Sequence, residues 1–372
     1  MRSIDADDLE RFIRDCVAAT GADDDIATRV AESLVLANLR GHESHGVRRL
    51  PMYWDWSRNE GDAALPVEPE ARPEMVKDAP AVAQVDGHSC YGQAVGRTAT
   101  DALIERAEDS TVAAVGIRDA SHLGRIGEWA ERVAGADLLF GAFVGTQGGR
   151  LVAPPGSAQR RYSTSPLAFG VPTFDGLEFP VVLDMATSQV AHGKVRERIP
   201  DDEPLEAAWT IRADGSAVTD AAAFTREGEG ALLPLGGRES GYKGFGLAMI
   251  AELFASIAGD GLVVSQSEES HGNVALFVAV DPLAFSTREA IAERVESLSR
   301  HIHETEFSPD VPAGTVASGD TALLPGEAEH EATLTRLENG IPLPDADAQA
   351  LLELAEELGV TPAPATRTAL GG

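Results

Sequence analysis

The sequence predicts an α/β protein: a body of alternating strands and helices with helical segments before and after it. Three observations predict it. From Ala81 onward, short apolar runs alternate with stretches of helical periodicity. Before that point, and again in the tail, apolar residues recur at three- and four-residue spacing. Between the first helical segment and the body, Pro66, Pro69 and Pro73 interrupt any helical pattern and mark a linker. The expected divisions are a helical segment over 1–75, the α/β body over 76–284 and a second helical segment over 285–372.

Taken in order, residues 5–19 read as a helix, with Leu9, Phe12, Ile13, Cys16 and Val17 on one face and Gly21 just beyond. Residues 24–39 read as a second, with Ile26, Val30, Leu34 and Ala37 aligned. The stretch 41–53 opens a third. If it is helical from Ser44 onward, His45, Arg49 and Tyr53 recur every four residues and share a face. A guanidinium fork suits a carboxylate held by two parallel hydrogen bonds, and an imidazole one turn away can donate beside it. Ser44 is placed to cap the helix start. A solvated, mildly basic helix face is the alternative. Gly46 argues against a helix chosen for propensity, and Pro51 fits only in a first turn or at a kink.

In the body, 81–85 reads as a strand, 93–107 as a helix, 111–117 as a strand and 118–124 as a polar loop. A helix at 126–134 and a strand at 138–144 follow, then an irregular, proline-rich stretch over 151–172. Residues 181–185 read as a short buried strand, 244–257 as an apolar helix and 274–280 as a strand. Helices over 287–303, 326–337 and 346–358 form the tail.

Composition narrows the function. The chain has 372 residues, 43% of them hydrophobic, which suits a folded protein with a substantial core. Acidic residues number 60 against 30 basic ones, a formal net charge of −30. Nucleic acid and anionic membranes need positive potential, so neither is an expected partner. Arginine far outnumbers lysine, which occurs only at Lys77, Lys194 and Lys243. An acidic, lysine-poor globular composition points to a halophilic protein, whose self-repulsion high salt would screen. Cys16 and Cys90 have neither metal-ligand spacing nor a disulfide framework, and no secretory leader or bilayer-spanning run is seen. A cytoplasmic location is the default expectation.

Three motifs outside the 41–53 stretch carry candidate chemistry. Asp119-Ala120-Ser121-His122-Leu123-Gly124 lies between a strand and a helix, where His122 is either a general acid or a structural loop histidine. Leu183-Asp184-Met185-Ala186-Thr187-Ser188 ends an apolar strand in a carboxylate that can orient a histidine, accept from a ligand or cap the next helix. Gly241-Tyr242-Lys243-Gly244-Phe245-Gly246 precedes an apolar helix; its N–H groups face an anion or form a flexible turn. No G-x-G-x-x-G follows a strand, and no P-loop, zinc-protease or nucleophile-elbow motif occurs. The nine histidines show no zinc spacing, so no metal is expected.

In joint order, these segments resemble the type 2 malate/L-lactate dehydrogenase family, which is unrelated to the Rossmann malate and lactate dehydrogenases. The resemblance runs over about 9–360. It rests on Arg40-Gly41 with Ser44-His45-Gly46 and Arg49, Val85-Asp86-Gly87 with Gly92-Gln93, and Ser121-His122-Leu123-Gly124. Leu151-Val152-Ala153-Pro154-Pro155-Gly156, Pro166-Leu167-Ala168-Phe169-Gly170-Val171-Pro172 and the 183–188 motif follow. Gly193-Lys194, Tyr242-Lys243-Gly244 and Leu324-Pro325-Gly326-Glu327 complete it. The chain departs at Ser163-Thr164-Ser165-Pro166, where the family often has Gly-Thr-Asn-Pro, at Tyr242 in place of a histidine, and after Asn273, where a Gly-His is frequent.

The resemblance implies a non-Rossmann NAD(P)-binding α/β domain, a helical domain built from both terminal segments, and a homodimer. It implies His122 as proton donor or acceptor, His45 with its hydroxyl partner Ser44 as a second proton-handling pair, and Arg49 on the substrate carboxylate. Tyr53 joins Arg49 on the substrate side. His122, Leu123, Gly124, Thr146, Asp184, Met185, Ala186 and Lys243 fall on the cofactor side, with NAD or NADP as the cofactor. The activity implied is interconversion of a 2-oxo acid and a 2-hydroxy acid. Reduction of a cyclic imine carboxylate is one alternative, and a catalytically silent anion-binding member is another.

Overall fold

The computed structural model describes residues 2–60, 65–199, 202–307, 317–318 and 321–371. A short strand β1 (Arg2–Ile4) leads into α1 (Ala6–Ala19), α2 (Asp24–Leu39) and, after two 3₁₀ turns, α3 (Leu50–Ser57). Asp5 accepts from the Asp7 and Asp8 amides and Asp23 from that of Ile26, so aspartates satisfy the first free N–H groups of both long helices. The residues aligned from the sequence on these two helices are all buried.

The body runs β2 (Glu74–Asp78), β3 (Val82–Asp86), α4 (Gly92–Ser110), β4 (Val112–Ala120), α5 (Ile126–Ala134), β5 (Leu139–Thr146), β6 (Leu167–Val171) and β7 (Val181–Met185). A lobe follows with α6 (His192–Glu197), β8 (Thr210–Ile211), α7 (Ala221–Arg226), β9 (Ala231–Leu232) and α8 (Gly237–Ser240). Then α9 (Tyr242–Gly259) and β10 (Asn273–Val280) return to the sheet. The tail holds α10 (Arg288–His303), β11 (Ala317–Ser318), β12 (Thr321–Ala322), α11 (Glu327–Asn339), β13 (Ile341–Leu343), α12 (Asp345–Glu357) and α13 (Pro364–Leu370).

Seven strands form the main sheet in the order β2-β3-β4-β10-β5-β6-β7. Only β3 and β4 pair in parallel; every other neighbour is antiparallel. α4 and α5 pack together on one face and α9 on the other. β10 places the site: its first residue, Asn273, pairs with Ala120 at the end of β4 and with Thr146 at the end of β5. Two antiparallel steps further, Met185 at the end of β7 reaches the same edge. Three strands thus deliver their C-terminal ends to one side of the sheet.

The terminal segments meet. β1 pairs with β13, α11 packs on α2, and α12 on α3. Arg48 reaches Asp347 at 3.0 Å across that contact.

The structure departs from the expectations in five places. Residues 44–53 are not one helix: Glu43–His45 and Val47–Arg49 are separate 3₁₀ turns. Gly46 between them is extended, and only glycine fits there, because the Asn38 carboxamide occupies the space a Cβ would need while accepting the Val47 N–H at 2.8 Å. Ser44 is therefore no helix cap, while Pro51 does lie in the first turn of α3. β4 continues to Ala120 instead of giving way to a loop at 118, since β3 and β10 pair with its end. The stretch 151–172 contains β6, whose bracketing prolines, Pro166 and Pro172, lie just outside the ladder. Finally, β7 is an edge strand with Leu183 39% exposed, not a buried one.

Candidate active site

One cavity of about 580 Å³ opens at the sheet edge where β4, β5 and β7 end. The 42–49 stretch gives His42, Ser44, His45 and Arg49 to its wall; the loop after β4 gives His122 and Gly124. Thr146 comes from the end of β5, and Asp184, Met185 and Ala186 from the end of β7. The lobe closes it with His192, Lys194 and Arg196, and the stretch before β6 adds Arg160.

The histidines meet because two chain segments interlock. A Cβ at Gly92, the first residue of α4, would run into the His122 carbonyl, so glycine lets the 121–124 loop lie against the helix start. From the other side, Asn273 Oδ1 accepts the Leu123 N–H at 3.0 Å and its Nδ2 donates to Thr146 Oγ1 at 3.2 Å. His122 then stacks on His45, ring centroids 5.5 Å apart and planes 20° from parallel. Ser44 Oγ is 3.1 Å from His45 Nδ1, and Tyr53 Oη is 2.8 Å from His122 Nδ1.

Arg49 is half-buried on the cavity wall, its Nε donating to the Ser44 carbonyl and its Nη1 4.0 Å from Met52 Sδ. Among the described residues no carboxylate is within ion-pair distance of it. Arg160 donates to the Gly230 and Phe224 carbonyls, each at 2.7 Å, and its guanidinium lies 4.3 Å over the Phe224 ring, again with no carboxylate partner among the described residues. A guanidinium kept from bulk water without a counter-ion is a costly arrangement unless an anion completes it.

Burial and these cations keep the histidines neutral. Burial, then the Arg49 charge, lowers His122 to about 3. Burial, then Arg49, then His122 holds His45 well below its ordinary range. Burial, then Arg196, lowers His192 to about 3. At each of the three positions these effects favour the neutral imidazole.

Asp184 uses one carboxylate oxygen to accept the Gly127 N–H at 2.7 Å, so it caps α5, a helix that precedes it in sequence. Burial raises its carboxyl, against the opposing pull of Arg125. Three expected members stand off the cavity wall. Tyr53 is 1% exposed and lies behind His122, not on the cavity wall. Lys243 is exposed at the start of α9, 6.0 Å from the Tyr242 ring and away from the cavity. In the 241–246 segment the Gly244 N–H donates to the Leu235 carbonyl. Leu123 lies behind the wall, buried, and serves through its backbone. Gln93, Asn273 and His192 had no role in the sequence reading. Gln93 and Asn273 fell inside or beside quoted motifs, but their partners are far off in sequence.

The profile of the family described as malate/L-lactate dehydrogenase matches residues 4–352. The chain belongs to the malate/L-lactate dehydrogenase family. It is similar to the L-lactate dehydrogenase of Cupriavidus necator, 35% identical over 324 residues, 86% of this chain and 87% of that one. It is also similar to the Delta(1)-pyrroline-2-carboxylate reductase of Ancylobacter novellus, 31% identical over 341 residues, 90% and 92% of the two chains. The solved malate dehydrogenase of Pyrococcus horikoshii superposes with a TM-score of 0.81 at 28% identity, covering 97% of each chain. This family member is thus a dehydrogenase of hydroxy acids that works with a nicotinamide cofactor. Among the described residues no helix is long and apolar enough to cross a membrane.

Proposed function

We propose that the enzyme interconverts a 2-oxo acid and its 2-hydroxy acid with NAD or NADP, at the cavity bounded by Arg49, His45 and His122. The observation that carries this reading is Arg49: a guanidinium without a carboxylate partner, facing two neutral histidines in an enclosed site. In this reading Arg49 holds the substrate carboxylate and fixes C2 in a near-attack position. His122 exchanges the proton of the C2 oxygen, and Ser44 with His45 orients the substrate from the stacked side.

The cavity is far larger than a small oxo acid fills, and its β7 end suits the cofactor. Asp184 offers a carboxylate acceptor for ribose hydroxyls, and Met185, Ala186, Thr146 and Gly124 line a surface for a flat ring. When bound, the nicotinamide supplies or receives the hydride at C2. Lys243 is left out of this reading.

Three broader features belong to the same proposal. The terminal segments 1–75 and 285–372 act as the body that presents Arg49, supported by the β1–β13 pairing and the α2–α11 contact. A second copy covers α9, whose Leu247, Ile250, Leu253, Phe254 and Ile257 are 41–76% exposed on a helix that is apolar all round. The charge of −30 and the two free, buried cysteines suit a salt-rich cytoplasm.

The Ser44–His45 pair supports a second reading, reduction of a cyclic imine carboxylate, in which that pair delivers the proton. An NADH and NADPH oxidation screen in molar KCl separates the two. Turnover of oxaloacetate or pyruvate without turnover of a cyclic ketimine acid is expected. The reverse pattern overturns the first reading, and no oxidation of either cofactor by folded protein overturns both.

A further inference from the structure

The side chains behind His122 raise a chemical problem and supply its solution; the argument rests on His122 as the residue that exchanges the proton. A neutral imidazole is a far weaker acid than an imidazolium. If His122 gives up its proton alone, it is left as an imidazolate in an enclosed site.

Tyr53 Oη lies 2.8 Å from His122 Nδ1, and Gln93 Nε2 donates to the same phenol oxygen at 2.9 Å. Tyr53 and Gln93 are each 1% exposed, so water does not compete for these bonds. A phenol has one proton to give. With Gln93 Nε2 donating to the phenol oxygen, the phenolic proton has His122 Nδ1 as its acceptor, an arrangement that pairs Tyr53 Oη–H with a bare Nδ1. In that arrangement the ring proton sits on Nε2. His122 lines the cavity while Nδ1 faces the interior, so Nε2–H is the group left to meet a substrate oxygen.

We propose that Tyr53 is the proton reservoir for the reduction and His122 its carrier. As C2 gains a hydride, its C–O π pair moves onto oxygen. Nε2–H crosses to that oxygen while Tyr53 Oη–H crosses to Nδ1. One O–H bond forms as the Nε2–H bond breaks; one Nδ1–H bond forms as the Oη–H bond breaks. His122 ends neutral, with its tautomer reversed, and the negative charge rests on the Tyr53 oxygen. Burial raises the Tyr53 phenol to about 12, against the opposing pull of the Arg49 charge and the Gln93 N–H, and an alkoxide is more basic still, so the transfer runs downhill. The phenolate recovers a proton from solvent after the product leaves. Oxidation runs the same two transfers in reverse. Tyr53 touches no substrate: it is a positioning residue that also stores the proton.

The test uses the full-length enzyme with cofactor and its accepted oxo acid. Tyr53→Phe keeps the ring in place and removes the proton. Its kcat for reduction should fall roughly 10²–10⁴-fold with KM almost unchanged. The solvent deuterium isotope effect on kcat should follow a curved proton inventory in the wild type, reporting two protons in flight, and a linear one in Tyr53→Phe. In ¹⁵N-histidine spectra, wild-type His122 should carry its proton on Nε2; this measurement needs no variant and decides the case if Tyr53→Phe does not fold. A proton found on Nδ1 in the resting enzyme, or a Tyr53→Phe variant with kcat within about threefold of wild type, overturns the relay. His122→Asn distinguishes the two levels. If it is inactive while Tyr53→Phe is not, the relay fails and the role of His122 stands; if both remain active, the reading of His122 fails as well.

Discussion

The outer surface and the cavity of this enzyme carry opposite charge. The whole chain carries 60 acidic residues against 30 basic ones, and many arginines away from the cavity are paired locally, as in Arg29–Asp25 and Arg300–Glu296. Inside, Arg49, Arg150, Arg160, Lys194 and Arg196 line the cavity against Asp184 and Glu268. The difference lies less in number than in pairing. Exposed pairs on helix surfaces contribute little and are screened by salt. Arg49 and Arg160 have no carboxylate partner among the described residues, so their positive potential is available to a ligand. The surface sets the medium the protein tolerates, and the cavity sets what it binds. Each region can be perturbed without the other.

The largest expected effect lies at the histidines. Removing the proton carrier in His122→Asn should lower kcat by roughly 10²–10⁴-fold, with the fold intact, since a loop side chain open to the cavity contributes little packing. His45→Asn is the paired control. If it abolishes turnover while His122→Asn retains most of it, the proton passes through Ser44 and His45, and imine reduction becomes the better reading. Next comes Arg49→Lys, which keeps the cavity positive but loses the planar fork. The loss of a charge-assisted bond of about 3 kcal/mol corresponds to about 10²-fold in kcat/KM. Cofactor affinity should stay near wild type. Equal losses in substrate and cofactor affinity would show that Arg49 shapes the whole cavity instead of gripping one carboxylate.

The same contrast explains what could be read from the sequence. The strands and long helices were legible because burial imposes a period: Leu9, Phe12, Ile13, Cys16 and Val17 all face the core. The order of the short motifs was legible as a family resemblance, and those motifs converge on the cavity through His45, Arg49, His122 and Asp184. What escaped depends on distant partners. Gly46 is extended because Asn38 fills its space, and no local signal encodes that. Helical spacing keeps Tyr53 near Arg49 at the start of α3, but it could not show that the phenol bonds to His122, 69 residues away. Asn273 joins the ends of β4 and β5, a role visible only once the strand order is known. The lobe between β7 and α9 shares a second small core with the stretch before β6, around Val152, Val195 and Phe224, drawn mostly from segments too short to show a period.

Salt perturbs the surface alone. Raising KCl from dilute buffer to molar concentration screens the acidic exterior, so Tm should rise by several degrees and activity should follow it. The potential around Arg49 is set at short range inside the protein and is screened less. An unchanged melting point in dilute buffer, with full activity, would remove the high-salt adaptation and leave the cavity argument untouched.

Acid perturbs the cavity more subtly, and His192 is the residue to use, because it lines the wall but has no part in the proposed chemistry. Burial, then Arg196, holds it at about 3 in the folded protein, against 6.5 for an unperturbed histidine. Between those values the unfolded chain binds a proton that the folded chain does not. Stability from this group is therefore complete above about 6.5 and is lost as pH falls towards 3. His45 and His122 act in the same direction. Glu128 opposes them: burial raises it to about 7 from 4.5, so the folded form holds an extra proton through much of the same window. The net slope of the wild type mixes these contributions, and a difference between variants separates them. His192→Gln should lose less stability than wild type between pH 7 and pH 5, by a slope of at most about one proton, as read from urea midpoints. Parallel slopes for the two proteins would mean that His192 titrates alike in the folded and unfolded chains, and that burial and the cluster of Arg49, Arg160 and Arg196 do not shift it as assigned.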